Sequence, residues 1–287
     1  MFALYKKELK AYFTSMIGPV FLAILLVIIG IYFFVVNMLN MIADFSVALN
    51  AITFLVILII PIITMRILAE ENKQKTDQLL LTSPVSVGKI VAGKYLALLT
   101  LYAIDMVIIC AYPMIMAKFG DAEIARSYSA ILGFFLMGAA YIAIGMFISS
   151  LTESQVIAAV VSFIVMIFTY IMTSITNLLP TDHLSVWIVM GVVTIFVAII
   201  AHGMMHNKIA TGIIFVFGEA AFATIYFVKP ELYDGLIGNI AGWFSVVDRY
   251  KDFSIGIMNI TSLVYYISIV FVFLFLTIMR IKKKRWS

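Results

Sequence analysis

The chain is short of the residues from which enzyme active sites and metal sites are built. Its 287 residues include one cysteine, Cys110, so an intrachain disulfide and a cysteine-based metal site are both excluded. No G-x-x-x-x-G-K-[ST] motif is present, because the segment SPVSVGK at 83–89 lacks the first glycine and the final hydroxyl residue. The H-E-x-x-H motif of zinc enzymes is also missing. The sequence therefore predicts no catalytic residue, no metal site and no bound cofactor in this chain.

Charge is scarce as well. Charged residues make up 12% of the chain, apolar residues 64%, and the mean hydropathy is +1.14. A soluble core of this length cannot hide so much hydrocarbon from water. The sequence instead predicts an all-α, polytopic helical integral membrane protein, and the lack of internal repeats predicts a single domain over 1–287. Because membrane topology explains the basic excess behind the pI near 9.0, no nucleic-acid partner is expected.

Eight apolar runs are long enough to cross a bilayer core of about 30 Å. They cover residues 17–38, 48–66, 90–117, 127–150, 154–178, 184–205, 208–229 and 260–281. Ahead of them, residues 3–16 are predicted to form an amphipathic helix at the membrane surface. In that helix the lysines face the headgroups, and four apolar or aromatic residues face lipid: Tyr5, Leu9, Tyr12 and Phe13.

The basic residues predict the orientation of these spans. With the N-terminus inside, 14 of the 19 Lys and Arg residues lie on the inner side. Five lie outside: Lys118, Arg126, Lys229, Arg249 and Lys251. The sequence therefore predicts a multi-pass protein of the cytoplasmic membrane with both termini in the cytoplasm.

The longest polar segment lies on the predicted inner side, between the second and third spans. Seven charged residues fall between Arg66 and Lys89. Residues 65–81 contain no Gly or Pro and are rich in helix formers, which predicts a helix of about four turns. Ser83 and Pro84 then predict a break before the third span.

Three segments resemble one protein family. The first is AEENKQKTDQLLLTSPVS with GKYLALL, and the second is SAILGFFLMGAAYIAIGMFISSLTESQVIAA at 129–159. The third is WFSVVDRYKDFSIGIMNITSLVYYISIVFVFLFLTIMRIKKKRW at 243–286. Together they resemble permease subunits of type-2 ATP-binding-cassette (ABC) exporters, within the branch of the gliding-motility and copper-maturation permeases. The resemblance covers roughly residues 1–178 and 235–287.

The resemblance implies that the polar segment is a coupling helix seated on a separate ATPase subunit, which binds the ATP and Mg. The implied coupling residues are Glu70, Glu71, Lys75, Thr76, Leu79, Leu80, Ser83 and Pro84. Glu70 and Glu71 would contact the ATPase, while Leu79, Leu80 and Pro84 would shape the joint. Further implied partners are a second permease, either a copy of this chain or a related one, and an accessory membrane protein with an extracellular domain. Permeases of this class commonly have six spans, so the runs within 180–230 would be an additional helix pair.

Two acidic residues fall near the middle of predicted spans. Asp105 lies in 90–117 and Glu219 in 208–229. A charge at that depth costs at least about 2.5–3.5 kcal/mol, so such residues usually face protein or water. Both are candidates for the translocation path. The alternative is a neutral acid that is hydrogen-bonded to a neighbouring Ser, Thr or Tyr.

A short amphipathic segment is predicted at the outer surface. Apolar residues recur there at 4-3-4-3 spacing: Leu236, Ile240, Trp243, Val247 and Tyr250. Asp248 and Arg249 lie beside this stripe. By the resemblance, a segment of this kind caps the translocation path.

Three functions remain open on these observations. The first is an exporter permease driven by the ATP hydrolysis of a partner. The second is a membrane anchor that transmits ATP-driven conformational work to extracellular partners. The third is an ion-coupled secondary transporter that uses Asp105 and Glu219.

Overall fold

A computed structural model describes residues 2–76, 85–118, 122–178 and 236–286, together with positions 186, 187, 191, 194 and 224. Within these residues all regular structure is helical, which confirms the predicted class. The helices are α1 (Phe2–Thr14), α2 (Ile17–Tyr32) with a π-helical continuation (Phe33–Leu39), α3 (Phe45–Thr64), α4 (Arg66–Gln74), α5 (Val87–Ile109), α6 (Ala111–Met116), α7 (Ile124–Leu151), α8 (Gln155–Leu178), α9 (Leu236–Trp243), α10 (Asp248–Ser254) and α11 (Ile260–Trp286).

Among the described residues, six helical segments are long and apolar enough to cross a membrane. They are Ile17–Leu39, Phe45–Gln74, Val87–Met116, Ile124–Leu151, Gln155–Thr176 and Ile260–Lys284. These segments match the first five predicted spans and the last one. The predicted spans 184–205 and 208–229 lie outside the described residues apart from isolated positions, so the additional helix pair stays a prediction.

The chain divides into two compact units. One comprises Met1–Tyr170 with Val246–Ser287, and the other comprises Ile171–Ser245. In the first unit, α7 is the central helix, because most of its 28 residues are buried and α3, α5, α10 and α11 all pack against it. The single domain over 1–287 stays a prediction.

Small residues let helices approach α7 closely. A Cβ atom added to Gly138 would overlap the ring of Tyr102, whose hydroxyl donates to the carbonyl of Phe134 at 2.9 Å. A Cβ atom on Gly145 would overlap the side chain of Thr64. The glycines therefore admit neighbouring side chains from α5 and α3 against the α7 backbone.

The N-terminal helix lies close to its predicted bounds, but one predicted face is wrong. Tyr12 is 5% exposed, and its hydroxyl donates to the carbonyl of Ile63 at 2.9 Å, so Tyr12 faces protein and not lipid. Carbonyls in the last turn of a helix have no partner within that helix, and the Tyr12 phenol satisfies one at the end of α3. Burial, with Glu8 nearby, raises the pKa of Tyr12 well above its usual range, so the hydroxyl stays a neutral donor. Tyr5 also contacts protein, through Thr100 at 3.1 Å.

Candidate functional site

The predicted coupling segment folds as a helix, but a shorter one than the sequence indicates. Helix α4 ends at Gln74, because Lys75 adopts the left-handed conformation (φ 56°, ψ 19°). The backbone N–H of Thr76 then donates to the carbonyl of Glu71 at 3.1 Å, which closes the helix end. The predicted continuous helix to residue 81 is therefore wrong. Residues 77–84, which include Leu79, Leu80, Ser83 and Pro84, lie outside the described residues.

The start of α4 is bonded to the end of α7. The hydroxyl of Ser149, which is fully buried, accepts from the backbone N–H groups of Leu68 (3.2 Å) and Ala69 (3.0 Å). The same hydroxyl donates to the carbonyl of Met65 at 3.0 Å. N–H groups at the start of a helix have no carbonyl partner within it, so Ser149 acts as a cap for α4 supplied from another helix, while its own proton goes to the carbonyl that follows α3.

The opposite end of α4 is also held by polar contacts. The Asn72 amide donates to the carbonyl of Thr152, which directly follows α7, at 3.3 Å. Its oxygen accepts from the Lys284 ammonium of α11 at 3.1 Å. The ISSLTE sequence that carries the family resemblance (148–153) thus contacts α4 along its length.

A buried lysine joins α4 to two further helices. Lys94 of α5 is fully buried, and its ammonium lies 2.7 Å from Glu71 Oε1 and 3.0 Å from Glu8 Oε1 of α1. A third contact, 3.3 Å long, is to the carbonyl of Ile67. We call Lys94, Glu8 and Glu71 the Lys94 cluster. Glu71 therefore pairs within this chain, and its side chain is only 18% exposed.

The remaining charged residues of α4 lie nearer the surface. Glu70 pairs with Arg66 one turn earlier, and it also accepts from the Gln74 amide at 3.2 Å. Lys73, Gln74 and Lys75 are exposed. The exposed face of α4 is therefore its last turn, and it carries two positive charges.

A cavity of about 270 Å³ lies between α1 and α4. Charged side chains of both signs line it, together with the predicted coupling residue Thr76. They include Lys7, Glu8, Arg66, Glu70 and Glu71. The cavity thus opens beside the Lys94 cluster, on the surface that α1 and α4 share.

The two midplane acids are not brought together among the described residues. Asp105 on α5 is fully buried, and neither of its carboxyl oxygens has a hydrogen-bond partner in the described part of the chain. The hydrogen-bonded alternative is therefore not found there. Glu219 lies outside the described residues.

The predicted outer stripe is wrong as one continuous segment. Helix α9 ends at Trp243, which is 69% exposed, and α10 begins only at Asp248. Asp248 pairs with Lys251 at 2.6 Å, and the Arg249 guanidinium lies 5.4 Å from the centre of the Tyr265 ring. Trp243 thus lies in α9, which belongs to the second unit. Asp248 and Arg249 lie in α10, which belongs to the first unit.

Three residues of this site were not predicted from the sequence: Lys94, Glu8 and Ser149. Lys94 is a lone cation inside the apolar run VAGKYLALL, five residues after Lys89. A cation inside an apolar run needs an acidic partner, and the consecutive glutamates at 70 and 71 precede it by 24 and 23 residues. For Ser149, the signal is its position in ISSLTE, because that segment is one of those that carry the family resemblance.

Comparison with known proteins gives one family match. The family model described as "ABC-2 family transporter protein" matches residues 2–180, which is well over half of the chain. That range contains α1 to α8, and with them every residue described above as contacting α4 except Lys284. No curated protein and no solved structure matches the chain.

Proposed function

The chain belongs to the ABC-2 transporter family, and we propose that it is the permease subunit of an exporter in which a separate ATPase drives movement through α4. Membership makes it a multi-pass permease of the cell membrane. Its activity then lies in moving a substrate, while ATP and Mg are bound by the partner subunit. The export direction and the relation to the gliding-motility and copper-maturation branch are parts of the proposal that rest on the sequence resemblance.

The position of α4 carries this proposal. A nine-residue polar helix at the end of a predicted span is bonded to α7 through Ser149, to α5 through Lys94 and to α11 through Lys284. A displacement of α4 therefore acts directly on several membrane helices. This is the arrangement that a coupling helix requires.

The ATPase would dock on the exposed last turn of α4 and on the neighbouring cavity. Lys73 and Lys75 would pair with acidic groups of the ATPase, since charge-assisted contacts are the strong polar contacts at interfaces. Glu70 and Thr76 line the cavity beside this turn and remain accessible coupling residues. Glu71 would act inside the permease, through its bond to Lys94.

The proposal includes the orientation and the assembly. Both termini and α4 would lie in the cytoplasm, as the excess of basic residues on that side predicts. The functional unit would contain two permease chains, either identical or related, and the ATPase, with an accessory membrane protein as a further partner.

Co-purification tests this proposal. The tagged chain, extracted from its native membrane, should bring down a nucleotide-binding subunit with ATPase activity. The double variant K73E/K75E should reduce the recovery of that subunit, because it reverses the charge of the docking turn. Lys118, an exposed lysine beyond α6, provides the matched control, and K118E should leave recovery unchanged. Equal recovery with all variants would refute docking on α4.

Asp105 favours a second candidate function, an ion-coupled secondary transporter. A buried carboxyl group without a hydrogen bond is costly and is frequently retained for ion or proton binding. Proton- or sodium-driven uptake in liposomes without ATP would support this alternative. The membrane-anchor alternative would instead show ATP hydrolysis that no transported compound stimulates.

A further inference from the structure

The Lys94 cluster uses every hydrogen-bonding group of one ammonium. An ammonium has three N–H donors, and Lys94 has three acceptors at 2.7, 3.0 and 3.3 Å. The acceptors are Glu71, Glu8 and the carbonyl of Ile67. Two of them belong to α4 and one belongs to α1, while the lysine itself belongs to α5.

This geometry restricts how the three helices can move. The Lys94 side chain is fully buried, although its two carboxylate partners line the cavity, so a displacement that breaks one contact deprives the ammonium of a partner. A buried charge that loses a partner is strongly destabilising. A movement of α1 or α4 relative to α5 therefore costs free energy once it is large enough to break the hydrogen bond to Lys94.

Packing alone would not impose the same restriction. Apolar contacts are not directional, so they fix packed helices through the shapes of the side chains and not through the alignment of particular atoms. Charge-assisted hydrogen bonds are directional and short, and they set the register of the helices that they join.

We propose that Lys94 is a positioning residue that makes α1, α4 and α5 move as one body, so that the N-terminal helix takes part in coupling. This inference rests on the proposed function for its role in transport, but the mechanical link itself is a property of the isolated chain. Helix α1 is then more than a membrane-surface anchor. Through Glu8 it shares every displacement that the ATPase imposes on α4.

The mechanical link is measured in the purified permease without any ATPase. Spin labels are placed on exposed positions of α1 and α4, with K10C and K73C in a C110A background. Pulsed electron paramagnetic resonance then gives the distribution of distances between the two labels. Wild type should give a narrow distribution, and K94M should give a broad one. K94R, which keeps the positive charge, should restore the narrow distribution.

A triple variant separates the link from folding. K94M alone leaves two partly buried carboxylates without their cation and can prevent folding, whereas E8Q/K94M/E71Q removes all three charges together. The triple variant should keep the thermal stability of wild type and still give the broad distribution. K89M is the matched control, since Lys89 is an exposed lysine on the same helix, and it should behave as wild type. A narrow distribution in the triple variant would overturn the proposal.

The role in coupling is measured in the complex with the ATPase. In the triple variant, ATP hydrolysis should continue, while the nucleotide-dependent change in mobility of a label at K118C should be lost. A response equal to that of wild type would overturn the proposal. If no ATPase co-purifies with the wild-type chain, the proposed function fails, and the distance measurement in the isolated chain still decides the mechanical link.

Discussion

Ser149 and Ser150 offer a direct test of the way in which α4 is fixed to α7. The two serines are adjacent and both are buried, with exposures of 0% and 7%. Ser149 makes three hydrogen bonds to the backbone at the start of α4, whereas Ser150 donates only to Phe147 of its own helix. The same substitution to alanine therefore removes an interhelical cap at one position and a local bond at the next.

The expected difference follows from these contacts. Loss of a serine cap costs about 0.5–2 kcal/mol, and leaving buried backbone groups without a partner costs about 1–3 kcal/mol. For S149A we expect about 2 kcal/mol of destabilisation. S150A should change stability by less than about 0.5 kcal/mol, because alanine favours the helix and the lost bond is local.

Thermal unfolding in detergent measures this difference. A loss of about 2 kcal/mol corresponds to a midpoint lower by roughly 4–8 °C for a chain of this size class. S149A should also lower the ATP-driven response of the complex, since the start of α4 loses its bonds to Ser149 of α7. Equal midpoints for S149A and S150A would refute the capping role of Ser149.

Three further predictions concern packing, the buried acid and topology. Gly138→Ala should destabilise the protein by about 1–3 kcal/mol in thermal unfolding, because its Cβ would overlap the ring of Tyr102. Asp105→Asn should leave the unfolding midpoint unchanged, as no hydrogen bond to the described residues is lost, but should alter ATP hydrolysis by the complex. In intact cells, a cysteine at position 118 should react with an impermeant thiol reagent, and a cysteine at Lys73 should react only after permeabilisation.

Each of these predictions has its own control or contradicting result. Gly30→Ala is the control for packing, since the nearest atom to its Cβ would be the Tyr112 hydroxyl at an ordinary 3.5 Å. If Gly138→Ala is as stable as this control, the close approach of α5 and α7 is refuted. Unchanged ATP hydrolysis by Asp105→Asn at every pH would remove the functional role of that residue. Labelling at Lys73 from outside would reverse the proposed orientation.

The sequence predicted the membrane helices well because their signal is local. A helix that crosses a membrane needs about 20 consecutive apolar residues, and that property is complete within each segment. The first five spans and the last therefore match helices of the structure.

The Lys94 cluster could not be predicted in the same way, because its partners are distant in sequence. Glu8 lies 86 residues before Lys94, and Glu71 lies 23 residues before it. A lysine near the start of a predicted span usually extends its ammonium to water, so the local pattern favoured an exposed lysine at position 94. Only the packing of α1 against α5 places a carboxylate where it can bind the buried ammonium.

The early end of α4 has a comparable reason. Differences in helix propensity are small, about 0.7 kcal/mol or less for ordinary residues, so they do not decide where a short helix stops. Glycine and asparagine usually mark a left-handed helix end, and this chain uses Lys75 there. The sequence of residues 65–81 therefore contains no signal for the end that the structure shows.

The buried charge of the Lys94 cluster is not explained by a gain in stability. Replacing a buried ion pair by apolar residues is often neutral or stabilising, so the Lys94 cluster is weak support for the fold as such. What its three bonds provide is a defined register of α1 and α4 on α5, while Ser149 and Asn72 fix the other face of α4 to the end of α7. With both faces bonded, the last turn at Lys73 to Lys75 is the face of α4 that remains open to a partner. A partner that displaces this turn would act on α5 through Lys94 and on the end of α7 through Ser149 and Asn72, which is what the proposed coupling role of α4 requires.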